Sequence, residues 1–297
     1  MVEKRSVSRI IFNIFNYGLM IAFGIICILP IWHVVMASIS EPRLLMSSSG
    51  LLFKPLGKMT LDGYKMVIEN KTVFMGYLNT IIYVVSTAVL GAFLTAIAGY
   101  LISRKNFKFA KPLTAFIMFT MIFSGGLIPS YMVIRGLGMI NTRWSIIFPG
   151  LINAYYIIIM KSALEQLPES YEESAKLDGA GPVTILFRIL LPLVKPTMVV
   201  VIMFTVIMQW NSWYLASIYL PRAREYWPLQ LIMRSLLIQN DTSKIITTSS
   251  DANQIVNMTG NLVKYCVTVV GTAPILVVYP FAQKYFVTGI TLGGVKE

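Results

Sequence analysis

Two short stretches concentrate the side chains that could do chemistry. The first, between Leu164 and Lys195, carries Glu169, Glu172 and Glu173, then Lys176, then Gly179, Gly181 and Pro182. Carboxylates near the start of a short helix and a lysine near its other end suit the helix dipole, and the glycines and proline after them suit a helix stop and a new start. The second is Gln209-Trp210-Asn211-Ser212-Trp213-Tyr214. Amides and hydroxyls beside aromatic faces suit a ligand with apolar C–H faces and hydroxyl rims, which is a description of a sugar. An interfacial aromatic belt is the other reading of the same residues. Neither stretch is equipped to make or break bonds. The single histidine, His33, has no ligand partners in the sequence around it, and Cys27 and Cys266 form no CxxC or metal pattern. They read as interfacial packing and as buried small hydrophobes. No Ser/His/Asp set, HExxH or Gly-x-x-x-x-Gly-Lys-Ser/Thr phosphate loop is present. Hence no catalytic residue, no metal site and no cofactor is expected in this chain.

The elements that must hold these stretches are set by composition. Of 297 residues, 56% are hydrophobic and only 13% charged, with a mean hydropathy of +0.69. Soluble proteins carry roughly 25% charged residues, so the natural solvent here is a bilayer. The net charge of +12 does not point to nucleic acid: the basic residues sit in short stretches between apolar segments, as membrane interfaces require. About six apolar segments are long enough to span. They are predicted near Ile11–Ala37, Gly76–Ser103, Pro112–Ile134, Trp144–Ala163, Pro196–Tyr219 and Leu262–Ala282. The reading is an all-α integral membrane protein, with residues 1–75 as an N-terminal span and outer segment and residues 76–297 as a core of five spans. The first apolar run is too long for a signal-peptide core and reads as an uncleaved span.

Lys4, Arg5 and Arg9 precede the first span, and Arg104, Lys105, Lys108 and Lys111 crowd the loop after the second. Such clusters stay cytoplasmic, which predicts both termini and the loop 164–192 inside. That loop reads as two short helices. Pro168 suits the first turn of one, with Glu169, Glu172 and Glu173 at its positive end and Gly179 as its stop. Pro182 starts the next, whose apolar face is Ile185, Leu186, Ile189 and Leu190, and Pro192 ends it. Small residues at Ala175, Gly179, Ala180 and Gly181 would let a partner's backbone approach; a solvated, capped loop is the alternative.

Glu173-Ser174-Ala175, three residues, Gly179, nine residues, then Ile189-x-Leu191-Pro192 resembles the EAA loop of binding-protein-dependent ABC importer permeases. The family pattern is Glu-Ala-Ala, three residues, Gly, nine residues, Ile-x-Leu-Pro; Ser174 for the middle Ala is the one departure. Asn79-Thr80, Gly99-Tyr100 with Arg104, and the closing Tyr285-Phe286-Val287-x-Gly289 with Gly293-Gly294-Val295-Lys296 are similar to the carbohydrate, maltose-permease-like branch. Gly125-Gly126-Leu127-Ile128-Pro129, Gly136-Leu137-Gly138 and Asn141-Thr142 resemble permeases for complex oligosaccharides. The resemblance implies a type I (MetI-like) importer permease, a multi-pass protein of the bacterial plasma membrane. It also implies a heterodimer with a second homologous permease, two ATPase subunits that hold ATP and Mg, and an extracellular sugar-binding protein. In the family the ATPases dock on the loop, here Glu173, Ser174, Ala175, Gly179, Ile189, Leu191 and Pro192, and the C-terminal tail can reach the same interface.

The predicted substrate route is Gln209, Trp210, Asn211, Trp213 and Tyr214, since amides are costly facing lipid, and Trp210 and Trp213 are expected on one helix face. Gly125, Gly126 and Pro129 would loosen the third span as a hinge or cavity wall, or allow close packing. Arg135, Arg143, Arg222, Arg224 and Arg234, all predicted outside, could favour acidic oligosaccharides, dock an acidic binding protein, or simply be solvated. An ion-coupled carrier would show midplane ionisable residues and repeated halves, and neither is evident.

Overall fold

The computed structural model describes residues 7–238, 260–277 and 279–280, and within them the chain is helical with no strand. It divides into two compact units, residues 1–71 with 235–272, and residues 72–234 with 273–297. Four helices are long and apolar enough to cross a membrane, or up to six if each of two sharply bent pairs counts as one span. That agrees with the expectation of about six. The closing motif 285–296 and residues 281–282 of the predicted last span lie outside the described residues.

In the first unit, helix Val7–Ser38 is apolar on every side, and none of its membrane-length core is buried. Cys27, expected to be buried, is exposed on it, because among the described residues no neighbouring element covers that stretch. Its last turns are anchored by named contacts. Trp32 Nε1 donates to the Phe53 carbonyl at 3.1 Å, and His33 Nδ1 accepts from the Leu52 backbone N–H at 3.1 Å. The Ser38 hydroxyl lies 2.6 Å from that of Tyr64, while the buried Cys266 thiol donates to the Ser38 carbonyl at 3.3 Å. Gly63 permits this packing: a Cβ there would lie 2.6 Å from Cys266 Sγ.

The second unit is organised around helix Lys71–Ser103. Its buried stripe runs Gly76, Asn79, Thr80, Tyr83, Thr87, Gly91, Thr95, Gly99, Tyr100, small or polar at helical spacing, as close packing in lipid favours. At Gly91 a Cβ would meet the Leu151 carbonyl oxygen at 3.0 Å, and at Gly99 it would meet Met160 at 2.8 Å. The fourth predicted span is helix Trp144–Gly150 followed by Ala154–Glu165, and Asn153 Oδ1 caps the second by accepting from Tyr155 N–H at 2.9 Å.

Two predicted spans are not straight. The expected Pro112–Ile134 is helix Ala110–Ile122 followed by Leu127–Gly136, bent by 118°. The break falls at Gly126, whose φ of 86° and ψ of −177° only glycine adopts readily. Pro129, in the first turn of the second helix, needs no N–H partner there. The expected Pro196–Tyr219 ends early: helix Lys195–Trp210 stops, and Tyr214–Tyr219 is a separate helix. Asn211 Nδ2 donates to the Ile207 carbonyl at 2.8 Å, and Ser212 N–H turns back to Gln209. These local bonds compete with continued helix. Trp210 and Trp213 therefore do not share a helix face.

Gly126→Ala should lower stability by about 1–3 kcal/mol through strain at positive φ. Gly125→Ala, whose Cβ would meet only Pro129 at 3.7 Å, should be near neutral. Thermal unfolding of the two variants in detergent checks the difference, and equal midpoints would contradict this account of the bend.

Candidate coupling and transport sites

The glutamate-rich loop folds as two helices, Ser170–Leu177 and Pro182–Leu193. Pro168 lies before the first helix rather than in its first turn, which begins after Glu169. Gly179 ends that helix at φ 78°, with Ala180 N–H donating to the Ala175 carbonyl and Gly179 N–H to that of Lys176. This is the paired closure that favours glycine just past a helix end. Gly181 and Pro182 open the next helix, as expected. Pro192 does not end it, and the helix runs on to Leu193. The reason is a π-helical turn at Ile185–Leu190, in which Leu191 N–H reaches back five residues to the Leu186 carbonyl. Widening the turn makes room for a proline ring that would otherwise meet the carbonyl four residues back.

The first helix is two-faced. Ala175 is buried and packs in one core with Tyr100, Met160, Leu164, Ile185, Leu186 and Leu190. Its small size thus serves this chain's own packing. Glu173, Ser174 and Gly179 are exposed, and so are the apolar side chains of Tyr171, Leu177 and Val183, with Leu177 at 89%. Ile189 and Leu191 are half-buried and Pro192 is exposed.

What fixes this loop to the spans is Glu172, which sequence reasoning treated only as a helix-end charge. Its Oε2 accepts from Arg104 Nη1 at 2.6 Å, and its Oε1 accepts from Lys176 Nζ at 2.9 Å and faces the Tyr100 hydroxyl at 3.4 Å. Arg104 also donates to the Leu164 carbonyl at 3.1 Å and to the Ser103 hydroxyl at 3.0 Å, and its guanidinium lies over the Tyr100 ring. Burial alone pushes the Glu172 carboxyl up. The hydrogen bond from Lys176 and the Arg104 charge outweigh it and hold its pKa below the usual carboxylate range. Lys105 pairs with Glu169 at 2.7 Å, at the surface. A signal existed in the sequence, since Tyr100 and Arg104 stand one turn apart at the exit of the second span, but their partner lies 68 residues on.

A second cluster lies at the other end of helix Lys71–Ser103. The buried Asn79 donates through Nδ2 to the Glu225 carbonyl at 2.7 Å and accepts through Oδ1 from Arg143 Nη2 at 3.1 Å. Thr80 accepts from Leu229 N–H at 2.8 Å, and the Tyr83 hydroxyl donates to the Tyr226 carbonyl at 2.6 Å. Three of the five singled-out arginines lie over aromatic rings: Arg143 over Tyr226, Arg224 over Trp227 and Arg234 over Trp213. Asn141, at φ 60°, ties its turn to the next by donating to the Tyr219 carbonyl and accepting from Arg222 N–H.

The five aromatic and amide residues are brought near one helix end but in different settings. Trp210 is buried, edge-on to Tyr77, and lines an apolar cavity of about 210 Å³ with Val84, Met203 and Ile275. Gln209 is half-buried, and its Nε2, like the hydroxyl of Thr87, is buried without a hydrogen-bond partner among the described residues. Asn211 and Tyr214 are exposed, and Trp213 is half-buried under Arg234.

Glu172→Gln should cost about 2 kcal/mol of stability, the magnitude of a charge-assisted hydrogen bond. Arg104→Gln, which also loses the Leu164 and Ser103 bonds, should be less than additive with it in a double-mutant cycle read by detergent unfolding. Because the Glu172 pKa is lowered, its contribution is complete above the ordinary carboxylate range and is lost as pH falls through the lowered value. The acid side of the stability profile should therefore flatten in Glu172→Gln.

Comparison with known proteins gives one consistent result. The family model described as "binding-protein-dependent transport system inner membrane component" matches residues 103–292. The polygalacturonan/rhamnogalacturonan transport system permease protein YtcP of Bacillus subtilis is 34% identical over 96% of this chain and 98% of its own. Protein LplC of the same organism is 35% identical over 96% and 95%. Among solved structures, a bacterial ABC transporter involved in the import of the acidic polysaccharide alginate has a chain that matches with a TM-score of 0.86. Identity there is 28%, over 96% of this chain and 100% of that one. This chain belongs to the binding-protein-dependent transport system inner membrane component family, the membrane-spanning permease subunits of ABC importers, which are not themselves catalysts.

Proposed function

We propose that this chain conducts oligosaccharides inward as one of two permeases in an importer driven by two ATPase subunits, which hold the ATP and Mg, and fed by an extracellular binding protein. The single observation that carries the coupling role is the helix Ser170–Leu177, fixed to the spans on one face through Glu172 and Ala175. Its other face presents Glu173, Ser174 and the 89% exposed Leu177. A leucine left in water on a rigid two-helix projection is what a partner's groove would cover. Gly179, Ile189, Leu191 and Pro192 complete that docking element. The ion pairs from Arg104 and Lys105 put the basic loop and the docking helices on one side of the protein, and positive charge favours the cytoplasm. Both termini are assigned to that side.

The substrate route runs past Gln209, Trp210, Asn211, Trp213 and Tyr214. The unfilled hydrogen-bonding capacity of Gln209 and Thr87 supports a polar wall there. Acidic oligosaccharides are the favoured class. Relatives named for polygalacturonan/rhamnogalacturonan transport and for alginate import support it, as does the arginine-bearing end formed by Arg143, Arg224 and Arg234.

Among the described residues nothing lies within 4 Å of a Cβ added at Gly179, so Gly179→Asp should insert and fold, since Asp tolerates positive φ. It should co-purify with about tenfold less ATPase, a change of about 1.4 kcal/mol. Normal assembly and transport in that variant would contradict the docking role. In vesicles bearing the assembled importer, uptake of oligogalacturonides should exceed that of neutral oligosaccharides and fall in Arg224→Gln/Arg234→Gln. A preference for neutral sugars, unchanged by that substitution, would sink the acidic class.

A further inference from the structure

We propose that the basic cleft beside the docking helices binds the phosphate headgroup of an anionic phospholipid. The cleft, of about 790 Å³, lies where the end of helix Lys71–Ser103, the turn after it, helix Ala110–Ile122 and helix Ala154–Glu165 meet. Five basic side chains line it, Arg104, Lys105, Lys108, Lys111 and Lys161, against one carboxylate, Glu165. Three of the five are engaged: Arg104 by Glu172, Lys105 by Glu169, and Lys161 by Glu165 at 2.7 Å. Lys108 and Lys111 have no carboxylate partner among the described residues. Lys161 is drawn into the cleft, its side chain only 20% exposed.

The occupant is argued from charge and from what continues the wall. Two unpaired ammonium groups at a membrane interface attract an anion, and basic pockets between membrane helices at that depth take anionic lipid headgroups. Beyond the lysines the wall turns apolar at Ala115 and Met118, on a helix with no buried residue. A soluble phosphate would leave that flank uncovered, whereas an acyl chain attached to the phosphate would lie along it. The bound headgroup would also touch the turn whose Arg104 and Lys105 hold the docking helices.

The test uses the full chain in its assembled complex, stripped of lipid in detergent. It is offered phosphatidylglycerol or phosphatidylcholine with matched acyl chains, and retained lipid is read by native mass spectrometry. Phosphatidylglycerol should be preferred. Lys108→Gln/Lys111→Gln should weaken its retention about thirtyfold, from two lysines near the surface. Lys54→Gln/Lys58→Gln, which removes equal charge from exposed positions elsewhere, should not. Four results would each overturn the proposal: no preference between the lipids, equal loss in both double variants, full displacement of the lipid by glycerol phosphate, which marks a soluble-anion site, or a Lys111→Cys side chain shielded from labelling by the partner permease in lipid-free complex.

Discussion

Glu172 is the point at which charge, packing and topology meet in the second unit. It sits on the inner face of a short polar helix and accepts from both Arg104 and Lys176 while Ala175, beside it, packs into the core. In low dielectric such a carboxylate is tolerable only when both oxygens are satisfied, and here they are. Through Arg104 this carboxylate fixes helix Ser170–Leu177 to the end of helix Lys71–Ser103. Without it helix Ser170–Leu177 would depend on a few apolar contacts, the surface Lys105–Glu169 pair and its Gly179 closure.

The same constraint, that backbone and side-chain polar groups need partners where water is scarce, governs the interrupted helices. Breaks at Gly126, at Leu151–Asn153 and at Asn211–Trp213 come with local capping: Ser130 Oγ donates to the Gly126 carbonyl, Asn153 caps Tyr155, and Asn211 bonds back to Ile207. The π-helical turn before Pro192 is another form of the same solution. Straightness is given up where a glycine, a proline or a competing local hydrogen bond demands it, and the freed groups are taken up nearby.

Much of this was legible in the sequence. Apolar length alone located the spans, and the Gly179 stop, the Gly181-Pro182 start and the buried face Ile185, Leu186, Leu190 followed from helical spacing. What was illegible depended on tertiary partners. Periodicity cannot tell a straight span from two helices at 118°, because both are apolar at the same spacing. Ala175 looked like an outward small residue, since size alone does not say which neighbour benefits. Cys27 looked buried because a cysteine in an apolar run says nothing about whether another helix covers that run. Arg104 with Glu172 and Asn79 with Arg143 are contacts across 68 and 64 residues, beyond any local pattern.

The order in which the chain is made gives the Arg104 pair a second meaning. Arg104, Lys105, Lys108 and Lys111 emerge from the ribosome well before Glu165, Glu169 and Glu172. During that interval the cluster is naked positive charge, free to steer how the helices on either side are threaded. Once the later glutamates arrive, Arg104 and Lys105 are neutralised and become struts. In the orientation proposed above, Arg104 and Lys105 thus act first as a topological signal and afterwards as scaffold, with biosynthetic time separating the two roles.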